Sequence, residues 1–262
     1  MQTVLLAMLA GTVGLGAAGW LAGLGYGVVL CALLDRGLRR SGARGLGPAD
    51  RVTLGRALLV GAVTALAVQS FDRAAPVALM AVLTAVALAL DGVDGYTARR
   101  TGTTSELGAR FDMEVDSFLV LVLCVQVAPS AGAWVLAIGG MRYAFVAASW
   151  VLPWMRGSLP PRYWRKVVAA IQGVALTVAM AGVLPGSLTI VVLAVSLALL
   201  VESFGRDVGW LWETRRARRA PRDRDVPRTP HTPDHPTIAG HAATLPHRDG
   251  LVAVARDRVV RL

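Results

Sequence analysis

Four aspartates lie close together in the sequence, in two pairs whose spacing fits one face of a helix. Asp91 and Asp94 are three residues apart, and Asp112 and Asp116 are four residues apart. Such spacings place both members of a pair on the same side of a helix. Carboxylates that converge at low dielectric repel one another, so a cation is expected among them. Oxygen ligands of this kind suit Mg²⁺ or Mn²⁺ rather than zinc or copper.

Divalent ions held in this way would suit a substrate that carries phosphate groups. Ions bound by carboxylates commonly hold substrate phosphates as well, and a pair of ions stabilises both the attacking and the leaving oxygen of a displacement. The aspartates therefore favour a phosphate or diphosphate ester as substrate. We expect no role for Glu114 in this site, because it is directed away from its two neighbouring aspartates.

The elements that must position these aspartates are apolar runs of membrane-spanning length. The chain has 262 residues, 55% of them hydrophobic, and its mean hydropathy is +0.55. Crossing the hydrocarbon layer takes about 20 mainly apolar residues. We therefore predict an all-α, polytopic membrane helix bundle whose seven spans lie at residues 3–34, 52–71, 76–97, 113–130, 132–152, 166–184 and 187–205. The first run is interpreted as one long tilted helix.

Arginines are concentrated in alternate loops, at residues 35–51, 98–110 and 153–166. Basic loops remain in the cytoplasm, which predicts a cell-membrane protein with its N-terminus outside and its aspartates and C-terminal tail inside. The net charge of +10 is then explained by attraction to anionic membrane lipids, and we expect no nucleic acid partner. The basic, proline-rich tail is predicted to be largely disordered.

The residues around the aspartates also resemble a family signature. The pattern D-x2-D-G-x2-A-R-x8-G-x3-D-x3-D is formed by Asp91, Asp94, Gly95, Ala98, Arg99, Gly108, Asp112 and Asp116. It resembles the signature of the CDP-alcohol phosphotransferase family of integral membrane enzymes. The resemblance implies a six-helix catalytic core at residues 48–206, which follows an extra N-terminal helix and basic loop at 1–47 and precedes the tail at 207–262.

The resemblance implies a role for each aspartate. Asp91, Asp94 and Asp112 would bind two divalent ions, Mg²⁺ or Mn²⁺, that hold the diphosphate of a CDP-linked donor. Asp116 would contact a metal too and would act as the general base on the acceptor hydroxyl, which is a poor nucleophile without one. The implied donor contacts in the same motif are Asp94, Gly95, Ala98, Arg99 and Gly108.

Two further regions carry candidate binding residues. The segment GPADRVTLGR at 47–56 resembles the entry segment of the family, which implies donor contacts from Asp50, Thr53 and Arg56, although Asp50 stands where an asparagine is expected. Candidate acceptor contacts are basic. Arg142 either contacts the acceptor or forms an internal ion pair. Lys166 is a candidate for binding an anionic substrate group. Arg156 and Arg165 could contact an anionic acceptor or could anchor their loop at the membrane surface.

The resemblance implies a membrane transferase that moves a phosphatidyl or similar group from a CDP-alcohol to an alcohol acceptor and releases CMP. CDP-diacylglycerol is the expected donor, and the acceptor stays open. Family members are typically homodimers, and Gly19, Gly23 and Gly27 offer a close-packing face for such a contact. Two alternatives remain, an intramembrane Mg²⁺-dependent prenyltransferase and a divalent-cation transporter. Cytidine dependence would separate the first alternative from the transferase, and metal flux without CMP release would identify the second.

Overall fold

The computed structural model describes residues 1–41, 48–74, 76–101, 106–157 and 163–219. These residues form eight α-helices: α1 (Gln2–Val13), α2 (Ala17–Ser41), α3 (Pro48–Gln69), α4 (Val77–Thr101), α5 (Glu106–Ala131), α6 (Leu136–Val151), α7 (Tyr163–Ala181) and α8 (Gly186–Arg219). Short 3-10 turns at Ala133–Val135 and Pro153–Arg156 flank α6. The described residues contain no β-strand, so the predicted all-α class is confirmed.

The long helices form a multi-pass membrane bundle. Within the described residues, five of them, α2, α3, α6, α7 and α8, are long and apolar enough to cross a membrane by length and composition. The helices α4 and α5 have 25 and 26 residues, and their apolar stretches are interrupted by the acidic residues of the motif. Large apolar side chains such as Leu21, Val28 and Val191 are exposed on the outside of the bundle, where lipid would cover them.

The first apolar run is two helices, and the predicted single helix over 3–34 was wrong. The helix α1 ends where Gly14 adopts a left-handed conformation with φ 68°, and α2 begins at Ala17. The side chain of Gln69 secures this turn, because it accepts a hydrogen bond from the Gly16 amide at 2.8 Å and donates one to the Gly14 carbonyl at 3.4 Å. With 12 residues α1 is about 18 Å long, too short to cross the bilayer. Hydropathy does not register a backbone reversal inside an apolar run.

The glycine face of α2 is covered by helices of the same chain. A Cβ atom at Gly23 would lie 2.6 Å from the side chain of Leu6 in α1, and one at Gly19 would lie 3.1 Å from the carbonyl oxygen of Ala65 in α3. Small residues allow helices to approach closely, and here they do so within one chain. The structure therefore gives this face an intramolecular partner in place of the predicted dimer contact.

The centre of the bundle is α3, which packs against α1, α2, α4 and α5. Its residues Ala57, Val60, Val63 and Leu66 are fully buried. Polar side chains link neighbouring helices inside the apolar core. Between α7 and α8, the Gln172 amide donates to the Ser196 carbonyl at 2.8 Å, and the Ser196 hydroxyl donates to the Gln172 side chain at 2.7 Å.

The helix α8 runs well past the end of the predicted span. It continues to Arg219, whereas the sequence pattern places the end of the span at residue 205. In this extension Leu211 is buried, and Asp207 forms an ion pair with Arg165 of α7 at 3.6 Å. The boundary predicted before residue 207 therefore falls inside α8. The predicted disordered tail lies outside the described residues from residue 220 onward.

The helix directions bring the beginnings of α5 and α7 and the ends of α6 and α8 to one end of the bundle. Trp164 pairs with Glu202 and Gln172 with Ser196, so α7 and α8 are antiparallel and the beginning of α7 lies beside the end of α8. The pair Glu114–Arg142 and the contact of Gly139 with Leu121 make α5 and α6 antiparallel, so α6 ends beside the beginning of α5. Trp154, just after α6, packs against Trp212 near the end of α8, so the first half of α5, with Asp112 and Asp116, lies toward the same end. We call this the aspartate end of the bundle.

Candidate active site

Three of the four aspartates come together at the aspartate end. Asp91 lies in the C-terminal half of α4, and Asp112 and Asp116 lie one turn apart near the beginning of α5. Each offers a carboxylate oxygen within 4.8 Å of the other two, and no second such cluster of metal-ligating side chains occurs in the described part of the chain. Their side chains are 41%, 33% and 35% exposed, so the cluster is open to a ligand.

A buried arginine holds this cluster together. Arg56 of α3 is only 1% exposed, and its guanidinium forms ion pairs with Asp91 and Asp112 and lies 3.1 Å from a carboxylate oxygen of Asp116. It also lies 3.4 Å from the main-chain carbonyl oxygen of Asp112. Clustered carboxylates need a counter-charge, and a planar guanidinium with five donors can serve several of them at once. Sequence reasoning assigned Arg56 to the donor and missed its contacts with the aspartates, because nothing local in the sequence links α3 to α4 and α5.

The donor set fits a hard divalent cation. All three side chains offer carboxylate oxygens, they come from two adjacent helices, and they converge closely enough to share one ion. Oxygen-only ligands with room for substrate phosphates are typical of Mg²⁺ and Mn²⁺ sites in enzymes. The arginine already present among them shows that this position favours positive charge.

The other residues of the motif lie around this cluster in the chain. Asp94, Gly95, Ala98 and Arg99 belong to the last turns of α4, and their side chains lie outside the described part of the structure. Gly108 is in the first turn of α5. On α3, Asp50 lies in the first turn, and Thr53 is buried three residues before Arg56.

Two of the basic acceptor candidates form ion pairs within the chain. Arg142 of α6 forms an ion pair with Glu114 of α5, the alternative that the sequence left open. Arg165 forms its ion pair with Asp207, and Lys166 is exposed beside it in the first turn of α7. Arg156 ends the 3-10 turn after α6, and its side chain lies outside the described part. Their roles toward an acceptor stay predictions.

The helix α2 approaches the site through a contact that the sequence did not indicate. Tyr26 of α2 stacks on Phe118 of α5 with ring centroids 5.3 Å apart, two residues beyond Asp116. A Cβ at Gly61 would touch the ring of Tyr26, so α2, α3 and α5 meet at this point. The sequence carries no signal for this stack, because the pairing of distant helices is set by the fold.

These observations define a polytopic helical membrane protein with a carboxylate cluster suited to a divalent cation at one end of its bundle. A family model for CDP-alcohol phosphatidyltransferases matches residues 48–201, which is more than half of the chain and runs from α3 into α8. The chain belongs to the CDP-alcohol phosphatidyltransferase family, whose members transfer a substituted phosphate group and generally use divalent metal ions. No curated protein and no solved structure matches it significantly.

Proposed function

We propose that this protein transfers a phosphatidyl group from CDP-diacylglycerol to the hydroxyl group of an alcohol acceptor and releases CMP. The observation that carries the proposal is the convergence of Asp91, Asp112 and Asp116 at one end of a membrane bundle that belongs to this family. The lipid-facing helices around the cluster would allow a diacylglycerol-linked donor to enter from the bilayer. The family match favours the transferase over the prenyltransferase and transporter alternatives.

In the proposed reaction, the acceptor oxygen attacks the phosphorus that carries diacylglycerol. The bond between that phosphorus and the oxygen bridging the two phosphates breaks, and CMP leaves with the bonding electron pair. Asp116 takes the proton of the acceptor hydroxyl, which makes the oxygen a better nucleophile as the new bond forms. Its position on α5, one turn beyond Asp112, keeps the base beside the phosphate-binding carboxylates.

Asp91 and Asp112, with Asp94 of the same motif, would hold Mg²⁺ or Mn²⁺. When bound, such ions neutralise the charge that develops on the diphosphate and on the leaving CMP. Arg56 contacts Asp91, Asp112 and Asp116 from α3 and keeps their carboxylate oxygens close together. In the donor-binding part of the proposal, Arg99, Thr53 and Asp50 contact the CDP group, while Gly95, Ala98 and Gly108 leave room for it.

We also propose an orientation in the membrane and an oligomeric state. The aspartate end faces the cytoplasm of the cell membrane, as the distribution of arginines in the loops favours. The active form is a homodimer whose contact lies away from the glycine face of α2, because α1 and α3 cover that face. Cross-linking in lipid nanodiscs tests this point, and recovery of monomer alone would count against the dimer.

The experiment that tests the function measures CMP release by the purified protein in nanodiscs with CDP-diacylglycerol and Mn²⁺ or Mg²⁺. The acceptors to compare are glycerol 3-phosphate, inositol phosphate, inositol, serine and phosphatidylglycerol. We expect release that requires both metal and one of these acceptors. Asp116→Asn should abolish most of it, whereas Asp72→Asn, which removes an exposed carboxylate from a loop at the opposite end of the bundle, should not.

Other outcomes would contradict the proposal at different levels. Donor binding without CMP release with any acceptor would mean that the donor or acceptor class is wrong. Absence of any CDP-diacylglycerol binding, together with metal flux across the membrane, would replace the transferase by a transporter. CMP release by Asp116→Asn at the wild-type rate would show that Asp116 is not the general base.

A further inference from the structure

A group of aromatic and basic side chains lies at the aspartate end, outside the proposed active site. Trp154, in the 3-10 turn after α6, packs edge to face against Trp212 of α8 with ring centroids 5.5 Å apart. The guanidinium carbon of Arg215 lies 5.6 Å from the centre of the Trp154 ring and 5.3 Å from that of Trp212. The guanidinium carbon of Arg216 lies 5.4 Å from the Trp212 ring centre. We call these four residues the Trp–Arg cluster.

The contacts of these arginines with the rings do not satisfy their hydrogen-bond donors. Both guanidinium carbons lie within cation–π distance of an aromatic ring, and an arginine has five N–H donors that an aromatic ring does not pair as an oxygen acceptor would. Within the described residues, neither Arg215 nor Arg216 forms an ion pair with a carboxylate. The neighbouring basic residues differ, because Arg165 pairs with Asp207 and Arg206 pairs with Glu202. Two planar cations thus lie against aromatic rings, and no carboxylate in the described part of the chain forms an ion pair with them.

The depth of the cluster matches the head-group region of a bilayer. Trp212 lies 26 residues beyond Gly186, the first residue of α8, so it is about 39 Å along the helix. Arg215 follows one turn later at about 44 Å. The hydrocarbon layer is about 30 Å thick, so a layer that begins near Gly186 ends before Trp212, and the cluster would lie on its head-group side. Tryptophan favours this zone, since its ring is apolar and its N–H is polar.

The surface around the cluster favours lipid as the occupant. The helix α8 exposes Val191, Val195 and Val201 along its length, so acyl chains would cover its outer face. Trp212 continues the same helix with 42% of its surface exposed. The phosphate of a lipid whose acyl chains cover α8 would lie near Arg215. A guanidinium can donate two parallel N–H···O hydrogen bonds to one phosphate.

We propose that the Trp–Arg cluster is a binding site for the phosphate of an anionic phospholipid, separate from the catalytic aspartates. Bound lipid would tie the end of α8 to the turn between α6 and α7, because Trp154 belongs to that turn and Trp212 to the helix. Leu211 supports the same junction, since a Cβ at Gly157 would lie 2.8 Å from its side chain. The proposal does not depend on the identity of the reaction.

The test titrates the full-length protein in detergent micelles with dioleoylphosphatidylglycerol or dioleoylphosphatidylcholine and counts bound lipids by native mass spectrometry. The wild-type protein should bind the anionic lipid more tightly. Arg215→Gln should weaken that binding about fivefold, since one basic residue near the surface contributes roughly 1 kcal/mol. Arg215→Lys should also weaken it, because lysine keeps the charge but lacks the planar fork. Arg36→Gln, which removes an exposed arginine of α2, is the matched control and should change little.

Three outcomes would overturn the proposal. Equal effects of Arg215→Gln and Arg36→Gln would mean that only total charge matters. Wild-type binding by Arg215→Lys would show that no planar stacked cation is needed. Displacement of phosphatidylglycerol by an equal concentration of inorganic phosphate would show that the cluster takes a free anion rather than a lipid. The melting temperature of each variant establishes that it is folded. Trp212→Phe retains an aromatic ring at this position, so it should weaken phosphatidylglycerol binding less than Arg215→Gln does.

Discussion

The guanidinium of Arg56 lies 3.1 Å from a carboxylate oxygen of Asp116, the residue that we assign as general base. The same buried side chain pairs with Asp91 and Asp112, so one arginine contacts three carboxylates from two helices, and its single positive charge cannot balance all three. Divalent ions would bind to the same oxygens. Arg56 and the metal are therefore expected to share, and in part to compete for, one cluster of negative charge.

Arg56→Gln should destabilise the metal-free protein more than the metal-bound protein. Removing one partner of a buried charged group leaves the others uncompensated, at a cost of about 3–5 kcal/mol when all partners are buried. Here the aspartates are partly exposed, so we expect a smaller loss. The measurement is the melting temperature in EDTA and in Mn²⁺, and the rise on adding Mn²⁺ should be larger for Arg56→Gln than for wild type. An equal rise in both proteins would mean that Arg56 and metal do not share the cluster.

Asp91→Ala and Asp116→Asn should affect different steps. Asp91→Ala removes a predicted metal ligand, so binding of Mn²⁺ and of CDP-diacylglycerol should weaken together. Asp116→Asn removes the base, so turnover should fall roughly 10²–10⁴-fold while donor binding is largely kept. Equilibrium binding of the donor and CMP release, measured on the same samples, separate the two effects. Loss of donor binding in Asp116→Asn to the same degree as in Asp91→Ala would contradict this division.

Gly139→Ala should destabilise the contact between α5 and α6, and Gly140→Ala should not. A Cβ at Gly139 would lie 2.7 Å from the Cα atom of Leu121, and this backbone atom cannot move aside easily. Nothing lies within 4 Å of a Cβ at Gly140. Overpacking of this kind costs about 1–3 kcal/mol. Melting temperatures of the two variants check the prediction, and similar values would show that α6 shifts without penalty.

Gln172 and Ser196 should be energetically coupled. Each hydrogen-bonds to the other residue, and both side chains are buried between α7 and α8. Hydrogen bonds between membrane helices contribute on average about 0.6 kcal/mol and at most about 1.7 kcal/mol. A double-mutant cycle with Gln172→Leu and Ser196→Ala, followed by unfolding in SDS, should give a coupling energy in this range. Strict additivity of the two single changes would argue against the coupling.

Two truncations should separate the α8 extension from the residues that follow it. Ending the chain after Ala220 should leave CMP release and melting temperature close to wild type. Ending it after Gly205 removes buried Leu211 and the Asp207 partner of Arg165, so the melting temperature should fall. A collapse of activity in the chain that ends after Ala220 would assign the last residues a role that we do not expect.

The sequence predicts the parts of the fold that follow from local pattern. The apolar runs and the prolines place α3, α4, α6 and α7 within about four residues of their observed bounds, because span length is set by the bilayer, whereas α5 begins seven residues before its predicted span. The hydropathy pattern does not predict helix boundaries that are set by a backbone turn or by a contact with a distant residue. The turn at Gly14 splits an unbroken apolar run. The end of α8 is stabilised by the ion pair of Asp207 with α7 and by buried Leu211, which hydropathy does not register.

The same division holds for the candidate site. The spacing of the aspartates predicts which carboxylates face one another, since helical periodicity fixes their direction. The position of Arg56 between them depends on the packing of α3 against α4 and α5, which no local pattern encodes. The stack of Tyr26 on Phe118 is of the same kind, because it joins α2 to α5 across the bundle.

The helix α5 is held by arginines on two different sides. Asp112 and Asp116 are paired with Arg56 of α3, while Glu114, which lies between them in the chain, is paired with Arg142 of α6. Rotation of α5 about its own axis would pull all three acidic side chains away from their partners at once. The direction in which the aspartates point therefore depends on how firmly α5 is held against rotation, and the ion pair of Glu114 with α6 contributes to that restraint.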